Sequence, residues 1–296
     1  MNTKTVSLIA LGTLFFRCGA LYGSEQASEH EVIRLKVHSY GVERSTVDMG
    51  QAAYALRGIS IEAQKCHWQL GITQQAYDWT QPGAFGVDTQ GRDPWETLTR
   101  LNVGFNHPFV MSDQWLGEVM AGVSGEFEDE MDDSFAGYVG GYGVYRLRPR
   151  IHLMVGVFYS HHAEVETDFD LVPLLGVAWN PEATRGFSAT LGVPMTQASW
   201  IFDDRHRLLL ELNTLQGGVT RLADDNPLRA GGYLERMHAS LVLRYETRLT
   251  EATSLSAGIS HSLDRDITLY DSDGEKVFSS DVKGGTGIEL SLSTRF

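Results

Sequence analysis

Thiols are nearly missing from this chain. Of 296 residues only two are cysteine, Cys18 and Cys66, and the first lies in an N-terminal apolar stretch. One remaining thiol excludes a disulfide framework and a cysteine-built metal centre. Long apolar runs are scarce too. Beyond that N-terminal stretch no window approaches the ~18 uninterrupted apolar residues that a membrane helix requires. Basic residues are outnumbered, 24 Lys and Arg against 38 Asp and Glu, for a net charge of −14. That balance argues against a nucleic-acid partner, whose phosphates it would repel, and suits a surface that meets divalent cations. No Pro/Ser-rich linker and no break in composition divides the chain.

The N-terminus carries Lys4, then the apolar Val6–Phe16, then Leu21, Tyr22 and Gly23 before Ser24. A positive start, a short apolar core and a small-residue cleavage site make residues 1–23 a secretory signal peptide. The bulky Phe16 and Arg17 disfavour lipid attachment at Cys18. Cleavage removes Lys4 and Arg17 and no acid, moving the net charge from −14 to −16. Residues 24–296 then form one domain.

The end of the chain is its most informative stretch. Ile288, Leu290, Leu292 and Phe296 fall on one parity, whereas Gly287, Glu289, Ser291, Ser293 and Arg295 fall on the other. Strand side chains alternate faces, so this segment has one apolar and one polar face. That is the pattern of a closing strand in an outer-membrane barrel, with lipid outside and a polar lumen inside. Similar alternation runs through Trp115–Phe127, Arg150–His162, Leu234–Thr247 and Thr253–Leu263. In Leu234–Thr247, Met237, Ala239, Leu241, Leu243 and Tyr245 are expected to face lipid. Segments of this length exceed the five or six residues usual for soluble strands.

Counting back from Phe296, short and long connections alternate, as periplasmic turns and external loops do. Asp264–Gly284, Ala223–Gly231, His162–Asp170, Glu128–Ser134 and Trp79–Pro94 fall on the external side. Leu249–Ala252, Asp203–Arg205, Asn180–Arg185, Arg148–Arg150 and His107–Ser112 fall on the periplasmic side. Pro194–Gln197 breaks the rule, being short where an external loop is due. The register gives an all-β, transmembrane antiparallel β-barrel of about 12–14 strands, at ~10 residues per crossing. Residues 31–64 are either its first strands or a periplasmic or plug segment, because Arg57 interrupts the apolar parity of Ala53, Ala55, Ile59 and Ile61.

One stretch adds a resemblance. Pro173, Gly176, Trp179 and Pro181 within Leu171–Pro181, followed by Ala189–Pro194, are similar to a motif in a domain-of-unknown-function family of predicted outer-membrane β-barrels from Gram-negative bacteria. The resemblance covers roughly residues 95–296. It implies an outer-membrane barrel and carries no catalytic residue.

Candidate chemistry is sparse. His161, His162 and Glu164 are the nearest thing to a metal-ligand set, yet neighbouring strand histidines point to opposite faces. No metal site and no cofactor is expected. Glu126, Glu128, Asp129, Glu130, Asp132 and Asp133 read as a solvated external loop where divalent cations and lipopolysaccharide are candidate partners. Asp271–Glu275 lacks the closing Glu of a calcium loop, and Asp273-Gly274 reads as a type I′ hairpin turn. The Gly-rich Phe135–Gly143 run, beside Tyr138, Tyr142 and Tyr145, reads as room for curvature and an aromatic girdle. His261 could serve a lipid hydrolase or acyltransferase, but no serine is committed to it, so no enzyme is expected.

Arg207, Glu211, Arg236, Arg244, Glu289 and Arg295 share the lumen parity. Charges there either line an aqueous pore or pair to close a narrow one. The chain therefore reads as a passive channel or narrow transporter for small solutes in the bacterial outer membrane. The alternative is a structural or surface-interaction barrel with a plugged lumen. By analogy with outer-membrane barrels in general, the barrel assembly machinery reads the terminal aromatic. Deleting Phe296 is expected to lower the amount of heat-modifiable folded protein in the membrane, measured by gel shift of unboiled samples; an unchanged yield would contradict the barrel assignment.

Overall fold

The structure, a computed structural model, describes residues 32–47, 52–85, 87, 89–166 and 171–296. The signal peptide expected over 1–23 lies outside the described residues. Strands β1 Ile33–Thr46, β2 Ala53–Lys65, β3 Trp68–Thr80, β4 Thr97–Val110 and β5 Trp115–Phe127 come first. They are followed by β6 Phe135–Arg148, β7 Ile151–His162, β8 Leu171–Trp179, β9 Gly186–Val193 and β10 Met195–Ile201. The last are β11 His206–Arg221, β12 Tyr233–Arg248, β13 Thr253–Tyr270, β14 Lys276–Lys283 and β15 Thr286–Arg295.

From β1 to β14 each strand pairs antiparallel with the next, β15 pairs with β13, and β1 pairs with β15 to close the ring. The 18-residue β13 pairs with β15 over Thr253–His261 and with β14 over Asp264–Tyr270. β14 and β15 are thus one crossing interrupted at Gly284 and Gly285, and the wall has 14 strands. Below Gly284 closure pairs the strands into a continuous ring, the condition for backbone to lie in hydrocarbon, while above it β14 pairs with β13 and meets the β1 end only at the Val47–Val282 bridge. β1 and β2 place most of residues 31–64 in the wall.

Alternation sorts the side chains. Ile59, Ile61, Leu70, Ile72, Val103, Val123, Val155, Leu175, Leu243, Ile259, Leu290 and Leu292 form an exposed apolar belt. At the short-turn end it is rimmed by Trp68, Trp115 beside Tyr145, and the Trp179–Phe187–Trp200 row. Amphipathic rings suit the boundary between headgroups and acyl chains. The expected girdle is corrected in one respect. Tyr138 and Tyr142 point inward and are buried, because Gly104 and Gly122 leave the room that the Tyr138 ring occupies. A Cβ on Gly122 would collide with the Tyr138 hydroxyl.

The interior divides into regions. Between β5 and β11, Leu116, Met120, Tyr138, Tyr142, Val144, Phe158, Val172, Leu174 and Met195 fill the space with a continuous apolar core. On the other side, toward the long-loop end, Tyr54, Trp79, Phe85, Trp95, Leu98, Leu222, Leu234 and Leu269 form a second core. Below it, Lys36, Glu62, Gln69, Thr73, Asn102, Ser291 and Ser293 keep partial exposure, forming a polar vestibule toward the short-turn end.

A line of irregularities explains this division. Register slips occur between Asn213 and Gln216 on β11 and against Ser262–Arg265 on β13, both beside His238–Ser240 of β12. The Gly284–Gly285 interruption and the slip between Val42 and Ser45 on β1 continue it around the wall. Bulges bend and twist a sheet. Above this line the ends of β11–β14 lean across the ring as a leaf, until Arg221 of β11 pairs with Phe127 of β5. These strands stand six places apart one way round and eight the other, so their contact crosses the lumen.

The leaf corrects further expectations. Met237 lies on the parity of Leu241 yet is buried, because the outer face of the leaf packs against the β7 rim through Val165, Val219, Tyr233 and Tyr270. The Asp271–Glu275 turn is not type I′: only Gly274 has positive φ, at 77°, and the Asp271 carboxylate accepts the Asp273 and Glu275 N–H groups. The short connection at Pro194 remains, joining two of the shortest strands, β9 and β10.

Leu243→Arg is expected to destabilise the folded barrel by about 2–4 kcal/mol if it lies near the bilayer midplane, whereas Ser291→Arg, projecting into the vestibule, costs little. Urea titration in lipid vesicles compares the two; equal losses would mean that the inside–outside register is wrong.

Candidate functional site

The charged interior groups fall in two layers. The lower one centres on Arg244 of β12. Its Nη1 lies 2.9 Å from Glu211 of β11, and its Nε donates to Glu289 of β15 at 2.6 Å. His38 of β1 approaches the other Glu289 oxygen at 3.6 Å. Gly258 lies between Arg244 and Glu289 in the register, where a Cβ would stand 3.2 Å from the carboxylate. Partial burial of all three charged side chains strengthens their attraction and raises the cost of separating them.

The upper layer lies at the base of the leaf. Glu126 of β5 accepts from Arg100 Nε of β4 at 2.6 Å and from Thr220 of β11 at 2.7 Å, and it pairs with Arg236 of β12. Arg100 also donates to the Gly217 carbonyl at 3.3 Å. Gly218 makes this approach practicable, since a Cβ there would stand 2.6 Å from an Arg100 nitrogen. Arg236 donates to Gln75 Oε1 at 2.7 Å and to the Tyr77 hydroxyl, both on β3. Gln75 in turn donates to Tyr40 of β1 at 2.6 Å. One network thus ties the leaf to four strands of the surrounding wall, β1, β3, β4 and β5.

Arg265 of β13 completes this layer differently. Its guanidinium donates to Ser45 at 3.0 Å, to Ser262 at 2.5 Å and to Tyr54 at 3.4 Å, and among the described residues no carboxylate pairs with it. Above the leaf, the loop between β11 and β12 is pinned. Glu128 accepts from the Ala223 N–H at 3.0 Å and from Asn226 at 2.7 Å, and Asn226 also donates to the Pro94 carbonyl at 2.7 Å. Burial pushes the Glu128 carboxyl above its ordinary pKa, an effect opposed by these two donors.

The residues singled out from sequence are distributed as follows. Glu211, Arg244 and Glu289 meet in the lower layer, and Arg236 belongs to the upper one. Arg207 sits at the exposed short-turn rim with Glu246 at 2.8 Å. Arg295 is exposed, its backbone N–H bonded to Ala252 at 3.0 Å. His161 is exposed, whereas His162 is buried against the Tyr233 ring and accepts from the Glu164 N–H at 3.2 Å, so the three do not converge. Among the described residues no group of three His, Cys, Asp or Glu side chains could hold a metal ion.

Three groups escaped the sequence reading. Glu126 reads from sequence as part of a solvated acidic loop, yet it is buried and bonds two arginines; only Asp129, Glu130, Asp132 and Asp133 of that run are exposed. Arg100 lies opposite the outward Leu101 and Val103, a parity signal that was available. Arg265 sits in a segment expected to be loop, where no parity applied.

No family model matches this chain, and no curated protein matches it. Among solved structures it is similar to a KdgM porin in complex with disordered oligogalacturonate, at 6% identity and a TM-score of 0.37, covering 90% of this chain and 99% of that one. It is also similar to an outer membrane channel from Pseudomonas putida F1, at 6% identity and a TM-score of 0.42, covering 90% and 95%. The beta domain of the Bordetella autotransporter BrkA matches at 9% identity and a TM-score of 0.37, covering 90% and 100%. At scores below 0.5 these likenesses carry no argument, and the fold rests on the chain's own strand pairing.

Arg244→Met strands two interior carboxylates and is expected to cost about 3 kcal/mol, whereas combining it with Glu211→Gln and Glu289→Gln recovers much of the loss. Denaturant titration of the single and triple variants checks this; a single variant as stable as the parent would show that the pairs are solvated.

Proposed function

We propose that this chain is an outer-membrane β-barrel acting as a narrow channel for small solutes, with its external mouth closed in this conformation by the leaf. The exposed apolar belt supports membrane insertion, because a soluble protein rarely leaves so much continuous apolar surface bare. The resemblance at Leu171–Pro194 supports the same setting, and the exposed acids of Asp129–Asp133 suit divalent cations among lipopolysaccharide phosphates. The single observation behind the closed state is the Arg221–Phe127 pairing across the ring. The bulged line below the leaf supplies a place for it to bend, and the vestibule ends directly beneath.

A second reading is a plugged structural barrel, favoured by the pairing of Arg244 with two carboxylates and of Glu126 with two arginines. No enzymatic role is assigned; His261 is bonded to Thr286, at 3.1 Å, rather than to a serine.

A disulfide lock separates the two readings. With the exposed Cys66 replaced by Ser, Phe127→Cys and Arg221→Cys would tether leaf to wall. In planar bilayers the channel reading expects conductance when the tether is reduced and its loss when oxidised. Silence in both states, with the parent silent as well, selects the plugged barrel, and conductance indifferent to oxidation rules out the leaf as the gate.

A further inference from the structure

We propose that the arginine layer at the base of the leaf, Arg100, Arg236 and Arg265, is a binding site for a small polyvalent oxyanion, carrying carboxylate, sulfate or phosphate groups, that arrives through the vestibule. As a statement about the transported solute it rests on the channel reading; as a binding site it does not.

The first observation is charge. Three guanidinium groups share this layer, and among the described residues Glu126 is the only carboxylate bonded to any of them. Counted over the described side chains bonded in it, the layer carries a formal excess of two positive charges inside a protein whose net charge is −14. Holding unbalanced charge away from water is costly, and hydroxyl partners such as Ser45 and Tyr54 offset only part of that cost. An arriving anion supplies the missing balance.

The second observation is that donors remain unused. Arg236 Nε is buried without a hydrogen-bond partner. Arg265 spends its donors on neutral hydroxyls, which an oxyanion can displace with shorter, stronger charge-assisted bonds. The third is convergence. Arg265 pairs in register with His238, which lies two residues from Arg236 on the same face of β12, and Arg236 and Arg100 meet on the one Glu126 carboxylate. The fourth is access: the Arg100 and Arg236 side chains keep 26% and 16% of their exposure. Guanidinium groups remain charged at any physiological pH and present paired N–H donors that match oxyanion geometry.

The contrast with the lower layer gives the proposal its direction. There Arg244 faces two carboxylates and has nothing to offer an anion. An anion that passes Lys36, which stands opposite Glu62 in the β1–β2 register, would meet a cluster of arginines at the underside of the leaf, the place where a bound solute could alter the leaf's hold on Glu126.

Isothermal titration of the full mature chain, folded in detergent micelles, tests this with sodium sulfate and sodium citrate against sodium chloride at matched ionic strength. Saturable binding of sulfate or citrate at one site is expected. Arg265→Gln should weaken it at least tenfold, Arg265→Lys should keep it within a few-fold, and Arg207→Gln at the rim should leave it unchanged. Heat modifiability confirms that each variant is folded. Absence of saturable binding to the folded parent would overturn the site, as would parental affinity in folded Arg265→Gln or an equal loss in Arg207→Gln. Conduction plays no part in this measurement. A silent barrel that binds anions overturns the channel reading and supports the site; a conducting barrel that does not bind them overturns the site alone.

Discussion

The contact between Glu126 and the arginines reaching it from two sides is the interaction on which the interior depends. An ordinary 14-stranded ring holds β5 and β11 far apart, and nothing in strand alternation brings them together. Arg100, Arg236 and Thr220 all converge on this one carboxylate, and backbone pairing of Arg221 with Phe127 follows immediately above it. Once that junction forms, the wall must bend. The slips on β1, β11 and β13 and the Gly284–Gly285 interruption lie at one level because the bend runs along a single line.

The bend settles how the rest of the space is filled. Between β5 and β11 the enclosed volume is narrow enough for side chains alone, and Tyr138, Tyr142 and Phe158 fill it in the manner of a soluble core. Under the leaf the second core excludes water with Trp79, Phe85 and Trp95, whose rings meet edge to face at centroid distances of 4.9 to 5.9 Å. Only the lower part of the larger region stays polar and partly hydrated. A barrel of this strand number need not be a pipe, since its width lies where packing and hydration compete.

The two charged layers behave differently for the same reason. Arg244 meets one carboxylate from the neighbouring β11 and a second from β15, across Gly258 of β13, so its charge is more than matched within the wall. The upper layer is assembled from strands on opposite sides of the ring, and its balance depends on what the cross-ring contact brings with it. Among the described residues one carboxylate is bonded to the three arginines there, Glu126.

Sequence alone determined the alternation, and with it the barrel, the outward apolar belt and the side of the wall on which Arg236, Arg244, Glu211 and Glu289 stand. Those properties are local: a period of two residues and a turn are written in neighbouring side chains. The strand number was bounded because each crossing consumes a similar length of chain. What the leaf does could not be read, because it depends on which strands meet across the ring, a relation between residues nearly a hundred positions apart. Parity assigned Met237 to the outer face correctly but could not reveal that this face is covered. The same blindness placed Glu126 in a solvated acidic loop and Tyr142 in a girdle, when both are buried. A side chain's face is decided by its own strand; what lies opposite that face is decided only when the wall closes and bends.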